Sequence, residues 1–176
     1  MKFQPLGLEG GFLIEIEPRT DDRGLFARTF CRDEFRAQGL CDSFVQCNTS
    51  YNPRRGTLRG MHFQAAPREE IKLVRCTRGA ILDVVVDLRP ASATRCRWQA
   101  VELSADNRRA LYIPAGFGHG FQTLTDDAEV FYQMSEAYVP ELARGVRWND
   151  PAFGIVWPVD PPVLSGRDAS FADFQP

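Results

Sequence analysis

The feature that most constrains this chain is the length of its patterned stretches. Nearly all are short, bounded by turn residues, and without the roughly 3.6-residue period of a helix. Leu13 to Glu17 alternates apolar and acidic residues, and Ile71 to Cys76 and Ile81 to Leu88 are rich in β-branched side chains. Trp98 to Leu103, Leu111 to Ile113, Phe121 to Leu124 and Val130 to Met134 also read as strands. Turn signals separate them at Arg78-Gly79, Arg89-Pro90, Asp106-Asn107, Pro114 to Gly116 and Asp126-Asp127. Short strands at this spacing predict an all-β sandwich or barrel. The best helical segment is Cys31 to Gln38, with Gly39 as its stop. From Tyr138 onward the chain is rich in Pro, Asp and Trp, and irregular wrapped structure is expected there. No linker, repeat or low-complexity run appears, so residues 1–176 are expected to form one domain.

Composition narrows the function. The hydrophobic fraction of 44% over 176 residues is enough for a real core. A net charge of -2, with the arginines spread among acids, gives no field for a nucleic acid, and no such partner is expected. No run approaches the roughly 18 apolar residues of a membrane helix, and Met1 to Glu9 lacks the pattern of a signal peptide. The five cysteines, Cys31, Cys41, Cys47, Cys76 and Cys96, are odd in number and form no CxxC pair. Free thiols in a reducing compartment follow, and the cytoplasm is the expected location.

The chemistry concentrates on few residues. The chain has only two histidines, His62 and His119. His62 lies in Leu58-Arg59-Gly60-Met61-His62-Phe63-Gln64, and His119 in the glycine-rich Ile113 to Phe121, read as the start of a strand. An isolated histidine is most often a hydrogen-bonded structural residue, but His62 between Arg59 and Gln64 favours function. A catalytic metal site needs about three protein ligands. Here no His-x-His pair exists, and Lys72 stands where a carboxylate ligand would come, so no metal is expected even with Glu69 and Glu70 nearby. The same residues suit acid–base work. A histidine is a good general base near neutral pH, given a carboxylate to orient it. Lys72 offers a charge for a developing oxyanion, and Tyr132 a phenolic proton. Of 21 basic residues only Lys2 and Lys72 are lysines, which speaks against a merely solubilising role for Lys72.

The elements Asp22-Arg23-Gly24-x-Phe26, Gln46-x-Asn48-x-Ser50, Leu58 to Gln64, Lys72-Leu73-Val74, Leu82 to Arg89, Ile113 to Phe121, Trp148-x-Asp150-Pro151 and Leu164-Ser165-x-Arg167-Asp168 follow one another in order. Together they resemble the dTDP-4-dehydrorhamnose 3,5-epimerase family over nearly the whole chain. The resemblance implies a metal-free cupin-like jelly roll with a few short helices, no cofactor, and a homodimer with exchanged N-terminal strands. It implies His62 as base, Asp168 as its orienting carboxylate and Tyr132 as the acid on the opposite face of the sugar. It gives Lys72 and His119 to the substrate pocket, Arg23 and Arg59 to the diphosphate, and Gln46 and Asn48 to the nucleotide end. Phe26, Arg28 and Arg167 complete the expected substrate-binding set, and Asp83 is the reserve partner for His62.

Three positions depart from the family pattern. Arg28 and Ala143 stand where the family usually has Glu, and Arg167 where it usually has Lys. The first two concern the nucleotide end. The expected reaction is therefore epimerisation at C-3, C-5 or both of a nucleotide-linked 4-keto-6-deoxy sugar. A CDP- or GDP-linked sugar is the alternative to dTDP. A ketoisomerase, a non-catalytic sugar-nucleotide binder and a metal-dependent cupin are the other readings.

Overall fold

The structure is a computed structural model describing residues 1–175. In chain order its strands are β1 (Lys2–Pro5), β2 (Phe12–Glu15), β3 (Arg19–Asp21), β4 (Gly24–Phe26), β5 (Gln46–Asn52), β6 (Leu58–Gln64), β7 (Lys72–Arg78), β8 (Ala80–Asp87), β9 (Trp98–Ser104), β10 (Ala110–Ile113), β11 (Phe117–Thr123), β12 (Ala128–Met134) and β13 (Ala143–Gly145). Helix α1 (Arg32–Ala37) follows β4, and α2 (Gly166–Ala169) lies near the C-terminus. One antiparallel sheet has the order β1-β2-β10-β7-β12-β5 and a second has β13-β6-β11-β8-β9, while β3 and β4 pair only with each other. The two large sheets face each other as a jelly-roll sandwich and do not close into a barrel.

Each apolar run is explained by what covers it. Between the sheets lies a core that includes Val74, Val85, Leu111, Phe117 and Val130. On the outer face of the five-stranded sheet, Met61, Val84 and Val86 are covered by Val146, Phe153 and Ile155 of the C-terminal wrap. On the outer face of the six-stranded sheet, Ile14, Leu73 and Tyr112 are covered by Phe35 of α1. β8 is therefore buried on both faces, which is why Ile81 to Val86 reads as a nearly continuous β-branched run rather than an alternating one. α1 is only six residues long, and Phe35 anchors it among Phe3, Phe30, Phe44 and Tyr112. Gly39 follows it at φ +70, a left-handed position that glycine takes without steric cost.

The structure corrects the sequence reading at three elements. The strand expected over Leu13 to Glu17 is β2, which ends at Glu15 and lies inside its sheet. β1 flanks it on one side and β10 on the other, so the sheet edge is β1. The strand expected from Phe121 begins at Phe117, so His119 lies inside β11 and not at its start. The stretch after Tyr138 is not wholly irregular, since it contributes β13 and α2. Among the described residues no helix is long and apolar enough to cross a membrane.

Candidate active site

The site begins with two glycines. A Cβ on Gly120 would meet Met61 Sδ at 2.7 Å and the Arg59 carbonyl oxygen at 2.8 Å, and one on Gly60 would meet Gly120 Cα at 2.7 Å. Bare backbone therefore touches bare backbone where β6 passes β11. This close approach accompanies a register in which His62 and His119 stand directly opposite each other.

Each histidine has its own carboxylate. His62 Nε2 lies 2.6 Å from Asp168 Oδ1. Asp168 is 4% exposed and sits in α2, where its backbone N–H donates to the capping Ser165 hydroxyl at 3.1 Å. Burial by itself would raise the Asp168 carboxyl. The hydrogen bond and charge of His62, the Gly60 N–H and Ser165 outweigh it and hold the carboxyl below its ordinary value. With Nε2–H given to Asp168, Nδ1 carries the free lone pair of the His62 ring. His119 Nε2 lies 2.8 Å from Asp83 Oδ1, with both side chains buried. Asp83, the reserve partner for His62, thus belongs to the second histidine.

The opposite wall comes from the other sheet. Lys72 opens β7 and is 7% exposed, with Nζ 2.7 Å from Glu70 Oε1 and donating to the His62 carbonyl at 3.2 Å. Glu70 Oε2 in turn accepts the Gln64 N–H at 2.8 Å. A buried ammonium is tolerable only when paired and hydrogen-bonded in this way. Tyr132 lies in β12, and burial pushes its phenol up, Arg59 opposing and Glu70 and Tyr138 adding to the rise. The phenol is thereby held protonated, as a proton donor must be. On β5, Gln46 Nε2 donates to Asn48 Oδ1 at 3.0 Å, and Gln46 Oε1 accepts the Tyr138 N–H at 2.9 Å.

Between these walls lies one cleft of ≈ 560 Å³, with Asp168 and Asp83 behind the histidines and not in its lining. His62, Tyr132, Lys72, Gln46, Asn48, Arg59, His119 and Arg167 all reach it. Sequence reasoning missed Asn52, the role of Glu70 as the partner of Lys72, and the cleft residues Tyr138, Phe121 and Arg144. The usable signal was the period of two on β5. Gln46, Asn48 and Ser50 face the cleft, and the same row runs on to Asn52. Arg59, Arg144, Arg167 and Lys72 outnumber the single lining carboxylate, Glu70, so the cleft suits an anionic ligand. Among the described residues no three His, Cys, Asp or Glu side chains cluster as a metal-ligand set.

Arg23, Phe26 and Arg28 do not line this cleft. Arg23 pairs with Asp21 at 2.6 Å and Arg28 with Glu34 at 2.7 Å. Phe26 is 75% exposed on a hairpin that pairs only with itself.

A family model for dTDP-4-dehydrorhamnose 3,5-epimerase matches residues 5–175. The chain belongs to that family. Its members are isomerases, and the sandwich described above is their cupin-type jelly roll. The dTDP-4-dehydrorhamnose 3,5-epimerase of Methanothermobacter thermautotrophicus is 45% identical over 97% of this chain and 92% of that protein. The crystal structure of the Bacillus anthracis dTDP-4-dehydrorhamnose 3,5-epimerase with TDP and PPi bound superposes with a TM-score of 0.95, at 40% identity, covering 98% of this chain and 99% of that one. A 3'-monoepimerase from Streptomyces bikiniensis in complex with dTDP-quinovose gives a TM-score of 0.89 at 39% identity, over 96% of this chain and 86% of that one. Of the positions where this epimerase-family chain departs from the family pattern, Ala143 and Arg167 line the cleft and Arg28 does not.

Proposed function

We propose that this protein epimerises a dTDP-linked 4-keto-6-deoxy sugar at the carbons next to its ketone. One observation carries the reading. His62 stands on the five-stranded sheet and Tyr132 on the six-stranded sheet, and both face the same cleft. A sugar held between them has a base on one side and an acid on the other, which is what inverting a carbon requires.

The chemistry follows from the groups. A hydrogen on a carbon next to a ketone is acidic because the electron pair it leaves behind moves onto the ketone oxygen. Nδ1 of His62 accepts that proton, and Asp168 stabilises the imidazolium that forms. The Lys72 ammonium lies on the wall with Tyr132 and offers a donor to the enolate oxygen. Tyr132 then delivers a proton to the other face of the carbon. The Arg59 and Arg167 guanidiniums are assigned to the diphosphate, and Gln46 and Asn48 to the nucleoside. Arg23, Phe26 and Arg28 are assigned to the cleft of a second copy of the chain, in a homodimer joined through its N-terminal strands. The unpaired edge of β1 and the bare Phe26 support this assignment. Five free cysteines fit a cytoplasmic location.

The test is incubation with dTDP-4-keto-6-deoxyglucose in heavy water, followed by NMR, with the CDP- and GDP-linked sugars alongside. Deuterium at C-3, C-5 or both, with inversion, is the expected result for dTDP, and the pattern shows whether one or two centres turn over. No solvent exchange with any of the three nucleotides would sink the epimerase reading. Exchange with only CDP or GDP would move the substrate to the altered nucleotide end marked by Ala143.

A further inference from the structure

Arg59 is held by a residue to which no role has been given. Its Nε donates to Asn52 Oδ1 at 2.7 Å. Asn52 is fully buried, and its Nδ2 donates to the Ser50 carbonyl at 3.0 Å and to the Ala128 carbonyl at 3.3 Å. Both ends of the amide are therefore used, and the direction of its oxygen is fixed by two backbone groups, one on its own strand β5 and one on the neighbouring β12. Arg59 itself is exposed to the cleft, and no carboxylate among the described residues pairs with it. The Asn52 bond engages Nε and leaves both terminal nitrogens of the guanidinium for a ligand.

We propose that Asn52 is a positioning residue that presets Arg59 for the diphosphate of the substrate. The proposal rests on the reading of Arg59 as a diphosphate-binding group and adds the device that aims it. A free arginine side chain loses about 2 kcal/mol of rotamer entropy when it is fixed. Tethering Nε beforehand removes part of that loss from the binding step. The fork left over, two terminal nitrogens in one plane, matches two phosphate oxygens. A neutral amide suits the task because it accepts from Nε without cancelling the charge that the diphosphate needs. An aspartate here would neutralise Arg59 and face two backbone carbonyls with its second oxygen.

The test is a double-mutant cycle of Asn52→Leu and Arg59→Ala, read as dTDP affinity by calorimetry and as kcat and KM on the sugar nucleotide. Leucine keeps the branched outline of the asparagine, with methyl groups in place of the amide oxygen and nitrogen, and removes the acceptor together with the two donors. The expected loss of dTDP affinity in Asn52→Leu is roughly tenfold, the worth of one hydrogen bond to a charged group. It falls mainly on KM, and it vanishes when Arg59 is already alanine. Arg59→Lys, which has no Nε fork, should likewise be insensitive to the Asn52 change. If Asn52→Leu does not fold, Asn52→Ser, whose hydroxyl is too short to reach Nε, is measured in the same cycle. Wild-type affinity in the folded Asn52 variant, or an effect that adds in full to Arg59→Ala, overturns the proposal while leaving Arg59 on the diphosphate. Wild-type affinity in Arg59→Ala overturns the underlying reading, and the proposal with it.

Discussion

At the scale of single residues, His62 matters because only one of its ring nitrogens is engaged. His62→Ala should fold and lose roughly 10²- to 10⁴-fold in turnover, the usual contribution of a general base. Turnover within a few-fold of wild type would remove it from that role. Tyr132→Phe keeps the ring and its packing and removes the proton. Solvent exchange at the carbon facing His62 should survive while inversion falls strongly, which a time course in heavy water separates. Equal losses of exchange and inversion would mean that Tyr132 is not a dedicated acid. Asp168 carries a signed dependence on pH. Its carboxyl is held below the ordinary value in the folded state, so its contribution to stability is full above about pH 4, the unfolded value, and is lost as pH falls through the folded one. Urea unfolding of wild type and Asp168→Asn should therefore differ at neutral pH and converge in acid. A gap that stays constant into acid would show that the His62 contact does not shift the carboxyl.

At the scale of elements, the crossing of β6 and β11 sets the site. Gly60 and Gly120 let the two strands touch, and the histidines follow from that register. Gly120→Ala puts a methyl group against Met61 Sδ and two backbone atoms. Backbone cannot move aside as a long side chain can, so the change should cost about 1–3 kcal/mol, measured by urea unfolding. Because it pries apart the strands carrying His62 and His119, activity in the folded fraction should fall as well. Unchanged stability and activity would mean that the crossing is soft. The four residues of α2 illustrate the same dependence on context. No helix of that length stands alone, and it exists because Ser165 caps it and Asp168 is tied to His62.

At the scale of the whole molecule, the sandwich offers more surface than one chain covers. Leu25 and Phe26 stand out on the β3–β4 hairpin, and β1 leaves one side of its backbone unpaired. Static light scattering at micromolar concentration should give a dimer. Cutting the chain back past β1 should shift it toward monomer, and Phe26→Ser should weaken dTDP binding if the hairpin reaches the cleft of a second copy. A monomeric wild-type protein would count against both.

The sequence by itself determined what is local and periodic. Short alternating or β-branched runs between turn residues specify an antiparallel sandwich, because each side chain must choose a face. Residue chemistry was legible too, in two histidines, one central lysine and an ordered set of motifs. The glycine-rich segment around His119 was legible as the start of a strand, but the strand it packs against was not, since the close approach is to Gly60, distant in the chain. Partnership across the fold was equally hidden. The pairing of His62 with Asp168 spans 106 positions, and nothing in the chain ruled out Asp83 as its partner until the strands were laid side by side. Asn52 went unremarked in the sequence, and only the pairing of β5 with β12, and the return of Arg59 beside it, gave its amide three fixed partners. Periodicity is written into consecutive residues, whereas a hydrogen bond between distant ones exists only once the chain has closed around it.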